Sequence, residues 1–296
     1  MDHLLEMQPL SASLGVEIGG VDLTEVSAGH LYPAIRDAFE THSLLLFRDQ
    51  QLTPAAHVRL ARLFGPLEER YPEEREAGQE YAVPQISNVD PGAALAGEAE
   101  LKLLNLQANM LWHTDSTFLP VPALTNIATA RIVPSEGGAT EFAGTRAAFR
   151  DLPPARQSEL REMRLWHRYA HSRAQISARL ARLPMFNKWE DQLWPALWRN
   201  PVNGLEAIYV ASHAFAVDGM DDEAGAETIR ELIETCTRPE YVYTHRWRVG
   251  DVLIWDERAT LHRGTPWPYE QARTLSSICS SAGVADGLAE MLSARG

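Results

Sequence analysis

The stretch Trp112-His113-Thr114-Asp115-Ser116-Thr117-Phe118 sets a histidine and an aspartate two residues apart. On an extended segment side chains alternate between faces, so His113 and Asp115 leave the same one. A distant histidine, His262, can complete a triangle around one metal ion. Two imidazoles and one carboxylate on one side of a metal are the donor set that holds non-haem Fe(II) and leaves room for an organic acid and O2. Of the 10 histidines, His113 alone has Asp two residues later. A tripeptide by itself is weak evidence, because a lone histidine is more often a satisfied structural side chain than a ligand.

Three features outside the stretch strengthen the metal reading. Arg273 follows His262 by eleven residues, and a guanidinium fork grips a carboxylate through two parallel hydrogen bonds. A chelating 2-oxo acid with a second, distal carboxylate needs such an anchor. Thr140, after Gly137-Gly138-Ala139, offers a hydroxyl to the same group. Gly250-Asp251 reads as a turn, Val252-Leu253-Ile254-Trp255 as a buried strand, and Asp256-Glu257-Arg258 as a second turn before a strand carrying His262. Taken singly, Arg273 is as well explained by a surface ion pair and Thr140 by an ordinary strand position. The order HxD, Thr, His, Arg is what joins them.

Composition narrows the function classes. The chain has 296 residues, 45% of them hydrophobic, a net charge of −13 and two cysteines, Cys236 and Cys279. That charge argues against nucleic acid or an anionic membrane as partner. No apolar run of about 18 residues is present, so no spanning helix is expected. The first residues lack a basic segment followed by an apolar one, so no signal peptide is expected. Two cysteines suit a reducing cytoplasm without a disulfide framework. The expectation is a cytoplasmic protein with a small-molecule substrate; a homo-oligomer is compatible with it.

Along the chain, residues 9–23 read as two short strands broken at Gly19-Gly20. Leu31, Ile35 and Phe39 are spaced as a helix stripe. Thr53-Pro54 reads as an N-cap followed by proline at the first helical position. Residues 70–108, rich in Glu, Gly, Ala and Pro around a short strand at 85–89, read as a long loop region serving as an active-site lid. Residues 173–199 intersperse Arg173, Arg179, Arg182, Lys188 and Arg199 with Trp189, Trp194 and Trp198. The acidic chain favours a helical insert there over a nucleic-acid surface. The pattern as a whole predicts one domain over 1–296: mainly β with peripheral α, a double-stranded β-helix (a jelly roll, cupin-like) with its site in the barrel mouth.

The chain resembles the TauD/TfdA family of Fe(II)- and 2-oxoglutarate-dependent dioxygenases along nearly its whole length. The likeness runs through Leu14-Gly15-Val16-Glu17-Ile18-Gly19-Gly20-Val21-Asp22, Leu45-Leu46-Phe47-Arg48-Asp49-Gln50, Leu63-Phe64-Gly65-Pro66-Leu67, the W-H-T-D-S-T-F run, Gly137-Gly138-Ala139-Thr140-Glu141-Phe142 and Trp255-Asp256…His262-Arg263. Gly138–Phe142 with Arg146–Phe149, and Glu240–Tyr243 with His245–Trp247, look closer to the aryloxyacetate (2,4-D) branch than to the taurine branch. The resemblance implies His113, Asp115 and His262 as iron ligands and Thr140 and Arg273 as 2-oxoglutarate contacts. It implies Asn109, Ser116 and Arg70 as substrate contacts, with O2 as the third reactant. The implied activity is hydroxylation of a C–H in a small organic molecule, coupled to decarboxylation of 2-oxoglutarate to succinate and CO2. Asn109, Trp112, Phe118 and the 70–108 region then decide which C–H is presented. The alternative is a metal-binding jelly-roll protein without turnover.

The chain departs from the family pattern at two places. Many relatives carry a second arginine four residues after the oxoglutarate one; here Ser277 stands there and brings no charge. Arg199-Asn200-Pro201 replaces a Thr-His-Pro run. Three explanations for Ser277 compete: a substrate without a carboxylate or sulfonate, a positive charge from Arg70 or Lys102, or a cationic or polar group beside Ser277. The balance tilts to a substrate other than a simple aryloxyacetate.

Overall fold

The computed structural model describes residues 5–70, 79–89 and 96–295. The chain opens with β1 (Glu6–Pro9), β2 (Val16–Gly19), α1 (Tyr32–His42), β3 (Leu44–Phe47) and α2 (Pro54–Phe64). The middle holds β4 (Gln85–Ser87), α3 (Ala96–Ala108), β5 (Ala123–Ile132), β6 (Thr140–Gly144), α4 (Thr145–Arg150), α5 (Pro154–Glu162), β7 (Arg164–His167), α6 (Tyr169–Ala174) and α7 (Ala178–Ala181). Then come β8 (Gln192–Pro195), β9 (Leu197–Arg199), β10 (Glu206–Ile208), β11 (Ala214–Val217), α8 (Asp222–Cys236), β12 (Val242–His245), β13 (Val252–Asp256), β14 (Thr260–Gly264), β15 (Thr274–Ser281) and α9 (Leu288–Ser293).

The major sheet has the order β1-β2-β3-β13-β5-β15-β4, antiparallel except between β2 and β3. The sheet β12-β6-β14 packs across it. Period-2 alternation sorts the central strands. Leu45, Phe47, Val252, Ile254 and Ile278 point outward to helices α1 and α2, where they join Ile35, Phe39, Leu60 and Phe64. Leu44, Leu46, Leu253 and Trp255 point inward and meet Phe142 of the opposite sheet. Both faces of β3 and β13 are therefore buried, which is why their sequences are unbroken apolar runs. This is the double-stranded β-helix with peripheral helices, as expected. α2 starts as predicted, with the Thr53 hydroxyl accepting from the Ala56 N–H at 3.2 Å.

Three expectations change. The strands expected within 9–23 lie at 6–9 and 16–19, with their break at residues 10–15. Gly15 sits there at φ +80°, where a Cβ would meet the Leu44 carbonyl at 3.0 Å. The loop expected over 70–108 contains α3, whose Leu101 and Leu104 pack against Phe118, Tyr169 and Leu180; residues 71–78 and 90–95 of that region lie outside the described residues. The insert at 173–199 is helical only in its first part; Gln192–Pro195 and Leu197–Arg199 are strands that bury Trp194 and Trp198 completely.

Candidate metal centre

His113 and His262 meet across a single antiparallel bridge. The His113 N–H donates to the His262 carbonyl at 3.0 Å, and the His262 N–H to that of His113 at 2.7 Å. Their rings lie 4.2 Å apart between centroids. Beyond the bridge the backbone does not stay extended: Asp115 begins a turn in which Ser116 adopts φ 64°. The turn returns the Asp115 carboxylate toward the two rings, with Oδ1 at 3.7 Å from His113 Nε2 and 3.9 Å from His262 Nε2. Donor atoms of these three residues all lie within 4.8 Å of one another, the one such group among the described residues.

Hydrogen bonds fix how the donors point. His113 Nδ1 lies 2.7 Å from the Leu111 carbonyl. It therefore carries the ring proton, and the Nε2 lone pair faces the carboxylate. Asp115 Oδ2 accepts from Asn126 Nδ2 at 2.7 Å, which leaves Oδ1 for a metal. Ser277 in turn donates its hydroxyl to Asn126 Oδ1 at 2.7 Å. Burial holds both imidazoles below their ordinary pKa, His262 at about 3. Burial alone would raise the Asp115 carboxyl; the two rings, Arg70 and Asn126 outweigh it and hold it low. Neutral imidazoles and an ionised carboxylate are the protonation states a divalent cation requires, so the donor set fits Fe(II).

The turn at 256–258 was legible only as a turn. It is fully buried, with Arg258 paired to Asp256 and Glu40 at 2.8 and 2.7 Å. Glu257 accepts from the Thr114 hydroxyl at 2.7 Å and from the Asp115 N–H at 2.8 Å, and so braces the stretch that carries the metal donors. Burial and the nearby Asp115 carboxylate raise the Glu257 carboxyl well above the usual range.

The triad lies on the wall of a cavity of about 610 Å³. Thr140 and Arg273 line the same cavity. Trp247 Nε1 donates to Thr140 Oγ1 at 2.9 Å, which leaves the hydroxyl proton free to be donated. Arg273 is 4% exposed. Its Nε donates to the Gly138 carbonyl at 3.0 Å and its guanidinium lies 4.9 Å over the Trp267 ring. The Gly137-Gly138 turn makes room for this: both have positive φ, and a Cβ on Gly138 would touch Arg273 Cδ at 3.0 Å. Among the described residues no carboxylate pairs with Arg273, and burial lowers its pKa to about 10.

The other expected site residues divide. Arg70 lines the cavity but is tied to Glu68, Nε to Oε1 at 2.5 Å. Ser116 is fully buried, its hydroxyl held between Arg70 Nη2 at 3.3 Å and Glu68 Oε2 at 2.5 Å. Asn109 lines the cavity beside Arg173, whose Nη2 is 3.4 Å from Asn109 Oδ1. Ser277 lines it too, but spends its hydroxyl on Asn126. Phe118 belongs to the wall, whereas Trp112 packs against a separate buried cluster that includes Ile208, Val210 and Leu261, with the Arg263 guanidinium 4.5 Å over its ring. Lys102 directs its ammonium to the Val89 carbonyl at 3.3 Å. Asn126 and His213 line the cavity without having been singled out, and so does Arg173, which was read only as part of a helical insert.

A family profile described as "Taurine catabolism dioxygenase TauD, TfdA family" matches residues 6–279. The chain is 34% identical over 272 residues, 91% of its own length and 94% of the relative's, to an alpha-ketoglutarate-dependent 2,4-dichlorophenoxyacetate dioxygenase of Cupriavidus pinatubonensis. It is 30% identical over 286 residues, 93% and 94% of the two chains, to an (S)-phenoxypropionate/alpha-ketoglutarate-dioxygenase of Sphingobium herbicidovorans. A crystal structure of AAD-2 in complex with Mn(II) and N-oxalylglycine superposes with a TM-score of 0.84 at 28% identity, covering 94% of this chain and 97% of that one.

Proposed function

This chain belongs to the TauD/TfdA dioxygenase family, and we propose that His113, Asp115 and His262 hold its Fe(II), that Thr140 and Arg273 hold its 2-oxoglutarate, and that its substrate is an aromatic acid. As an Fe(II)- and 2-oxoglutarate-dependent dioxygenase it hydroxylates a small organic molecule and yields succinate and CO2. The single observation that carries the residue assignment is convergence: three donors within 4.8 Å, on the wall of the cavity that also receives the buried, carboxylate-free Arg273.

Bound Fe(II) supplies activation of O2 and delivery of one oxygen atom to the C–H. The protein supplies position. Arg273 and the Thr140 hydroxyl grip the far carboxylate of 2-oxoglutarate and so fix where its keto acid end lies. Asn126, anchored by Ser277, keeps Asp115 Oδ1 aimed at the metal. Phe118, Tyr169 and Trp255 give the wall an aromatic character and help to exclude water. The named relatives act on aryloxy acids, and these rings suit an aromatic body. Ser277 is committed to Asn126, so the substrate's acid group is not gripped from the position where many relatives carry arginine. The described parts of 70–108 that line the cavity, including Tyr81, Ile86 and Leu106, act as its cover.

The test is succinate formation by the Fe(II)-loaded protein with 2-oxoglutarate and a panel of aryloxyalkanoates, other aromatic acids and uncharged aromatics. Stimulation by aromatic acids is expected. Succinate formed at one rate with every compound would refute the substrate class, and none formed by protein with bound iron would refute the assignment of Thr140 and Arg273.

A further inference from the structure

Three cationic side chains line the cavity among the described residues: Arg70, Arg173 and Arg273. Their charges are handled differently. Arg70 is neutralised by Glu68. Arg273 is the 2-oxoglutarate anchor of the proposed function. Arg173 remains, 5% exposed, and its hydrogen-bond acceptors are neutral: Ser172 Oγ at 3.0 Å, Tyr169 Oη at 3.3 Å and Asn109 Oδ1 at 3.4 Å. Its Nε is buried and has no partner among the described residues. The guanidinium is nonetheless held in place, 4.5 Å from the Tyr169 ring centroid and 5.2 Å from that of Phe186.

A buried guanidinium with only neutral partners is costly unless an anion joins it. Among the described residues none provides one. Glu69 and Glu80 line the cavity but are exposed, where water screens them. Nor does the cofactor set. Fe(II) with the Asp115 carboxylate, and dianionic 2-oxoglutarate with Arg273, together sum to no net charge. The Arg173 charge is then left over, and one monoanion neutralises it. We propose that Arg173, with Asn109 beside it, is the anchor for the substrate's carboxylate, taking the part that Ser277 cannot play. This rests on the substrate class proposed above. The anchor sits on the metal's side of the cavity: Asn109 lies four residues before His113, and the Tyr169 ring is 5.7 Å from that of His213, which is 6.2 Å from His113. Phe118 stacks on Tyr169 at 3.7 Å and continues this wall toward the turn bearing Asp115. An acid held at Arg173 can therefore extend its aromatic body along this wall with its linking carbon toward the triad.

The test uses full-length protein loaded with Mn(II) and N-oxalylglycine, a pair that binds without turning over. Phenoxyacetate, 2,4-dichlorophenoxyacetate and (S)-2-phenoxypropionate are titrated by calorimetry, each beside its neutral carboxamide. Wild-type protein should prefer the acids. Arg173→Gln should lose about 10- to 100-fold in acid affinity, the range for charge-assisted hydrogen bonds, and leave carboxamide affinity within about twofold. Arg173→Lys, which keeps the charge but not the fork, should recover part of the loss. N-oxalylglycine affinity should stay unchanged in both variants, which confirms the fold. Equal affinity of the wild type for acid and amide, failure of every acid to bind it, or an equal loss of acid and amide in Arg173→Gln would overturn the proposal. Succinate assays on the same proteins separate the two readings. Acid binding that depends on Arg173 without any turnover would sink the assigned function and spare the anchor; turnover indifferent to Arg173 would do the reverse.

Discussion

Arg273→Gln should weaken 2-oxoglutarate binding without weakening the empty protein. Burial takes the Arg273 pKa from 12.5 to about 10, which corresponds to a charge about 3 kcal/mol more costly inside than in water. Neutral pH lies below both values, so the guanidinium is charged in the folded and unfolded states alike and the whole penalty acts on the fold. Against it stand one hydrogen bond to the Gly138 carbonyl and the Trp267 ring beneath the guanidinium, together worth about 2 kcal/mol. Glutamine removes the penalty and keeps a donor of similar reach. The empty variant should therefore melt at the wild-type temperature or a few degrees above it, at about 2–4 °C per kcal/mol for a chain somewhat smaller than this one.

With 2-oxoglutarate the sign reverses. At a concentration of about 100 Kd, Mn(II)-loaded wild type gains about 2.7 kcal/mol. Loss of the charged fork raises Kd about 10- to 100-fold, so the variant gains only about 0.4 to 1.4 kcal/mol at the same concentration. Thermal unfolding with Mn(II), with and without 2-oxoglutarate, measures both terms on the same samples. A variant that loses several degrees when empty and keeps the full 2-oxoglutarate shift would show Arg273 to be a structural ion rather than a carboxylate anchor.

Other expectations follow from the same geometry. Asn126→Ala frees Asp115 Oδ2 and should weaken Mn(II) affinity about 10- to 100-fold, with Ser277→Ala giving a smaller loss in the same direction; unchanged affinity in equilibrium dialysis would remove the relay. His113→Ala should abolish both metal binding and succinate formation, and turnover retained by this variant would end the triad assignment. Burial holds His57 at about 4 and His167 at about 3, so between pH 6.5 and those values the unfolded chain binds more protons than the folded one. Their contribution is complete above pH 6.5 and falls away as the pH drops, by about 2 kcal/mol per histidine at pH 5. The urea midpoint should therefore be lower at pH 5 than at pH 7.5, with a smaller difference in His57→Gln; equal midpoints in the wild type would contradict the burial of these rings as neutral species.

What the sequence disclosed, and what it withheld, follows the range of the interactions. His113 and Asp115 were legible as candidate ligands because two ligands of one ion must come close, and a spacing of two is a local way to achieve that. Their same-face argument was only half right: the bridge at His113 is extended, but the turn at Asp115–Phe118 aims the carboxylate. Val252–Trp255 was legible because a strand buried on both faces is an apolar run; Asp256, expected in the turn, ends that strand. Helix α3 was not, since Leu101 and Leu104 pack against Phe118 and Leu180, far along the chain. Glu257 looked like a turn residue because its burial depends on Thr114, 143 residues away.

The same distinction separates the two ends of the cavity. The proposed metal and 2-oxoglutarate end is built from β6, β14, β15, the turn beside β6 and the His113–Asp115 stretch bridged to β14, held by strand ladders and by a Gly-Gly turn with no room for a side chain against Arg273. Changing it means changing the barrel. The proposed substrate end rests on side-chain contacts across large separations: Asn109 with Arg173 over 64 residues, Arg70 with Ser116 over 46. These come from α6, the end of α3, the loop at 68–70 and the positions flanking the metal donors, Asn109 and Ser116, which lie outside the two facing sheets. A charge moved from the position of Ser277 to that of Arg173 leaves the barrel ladders untouched. The reaction can thus stay fixed while the direction from which the acid is gripped, and with it the C–H presented to the metal, differs from that of relatives about one-third identical.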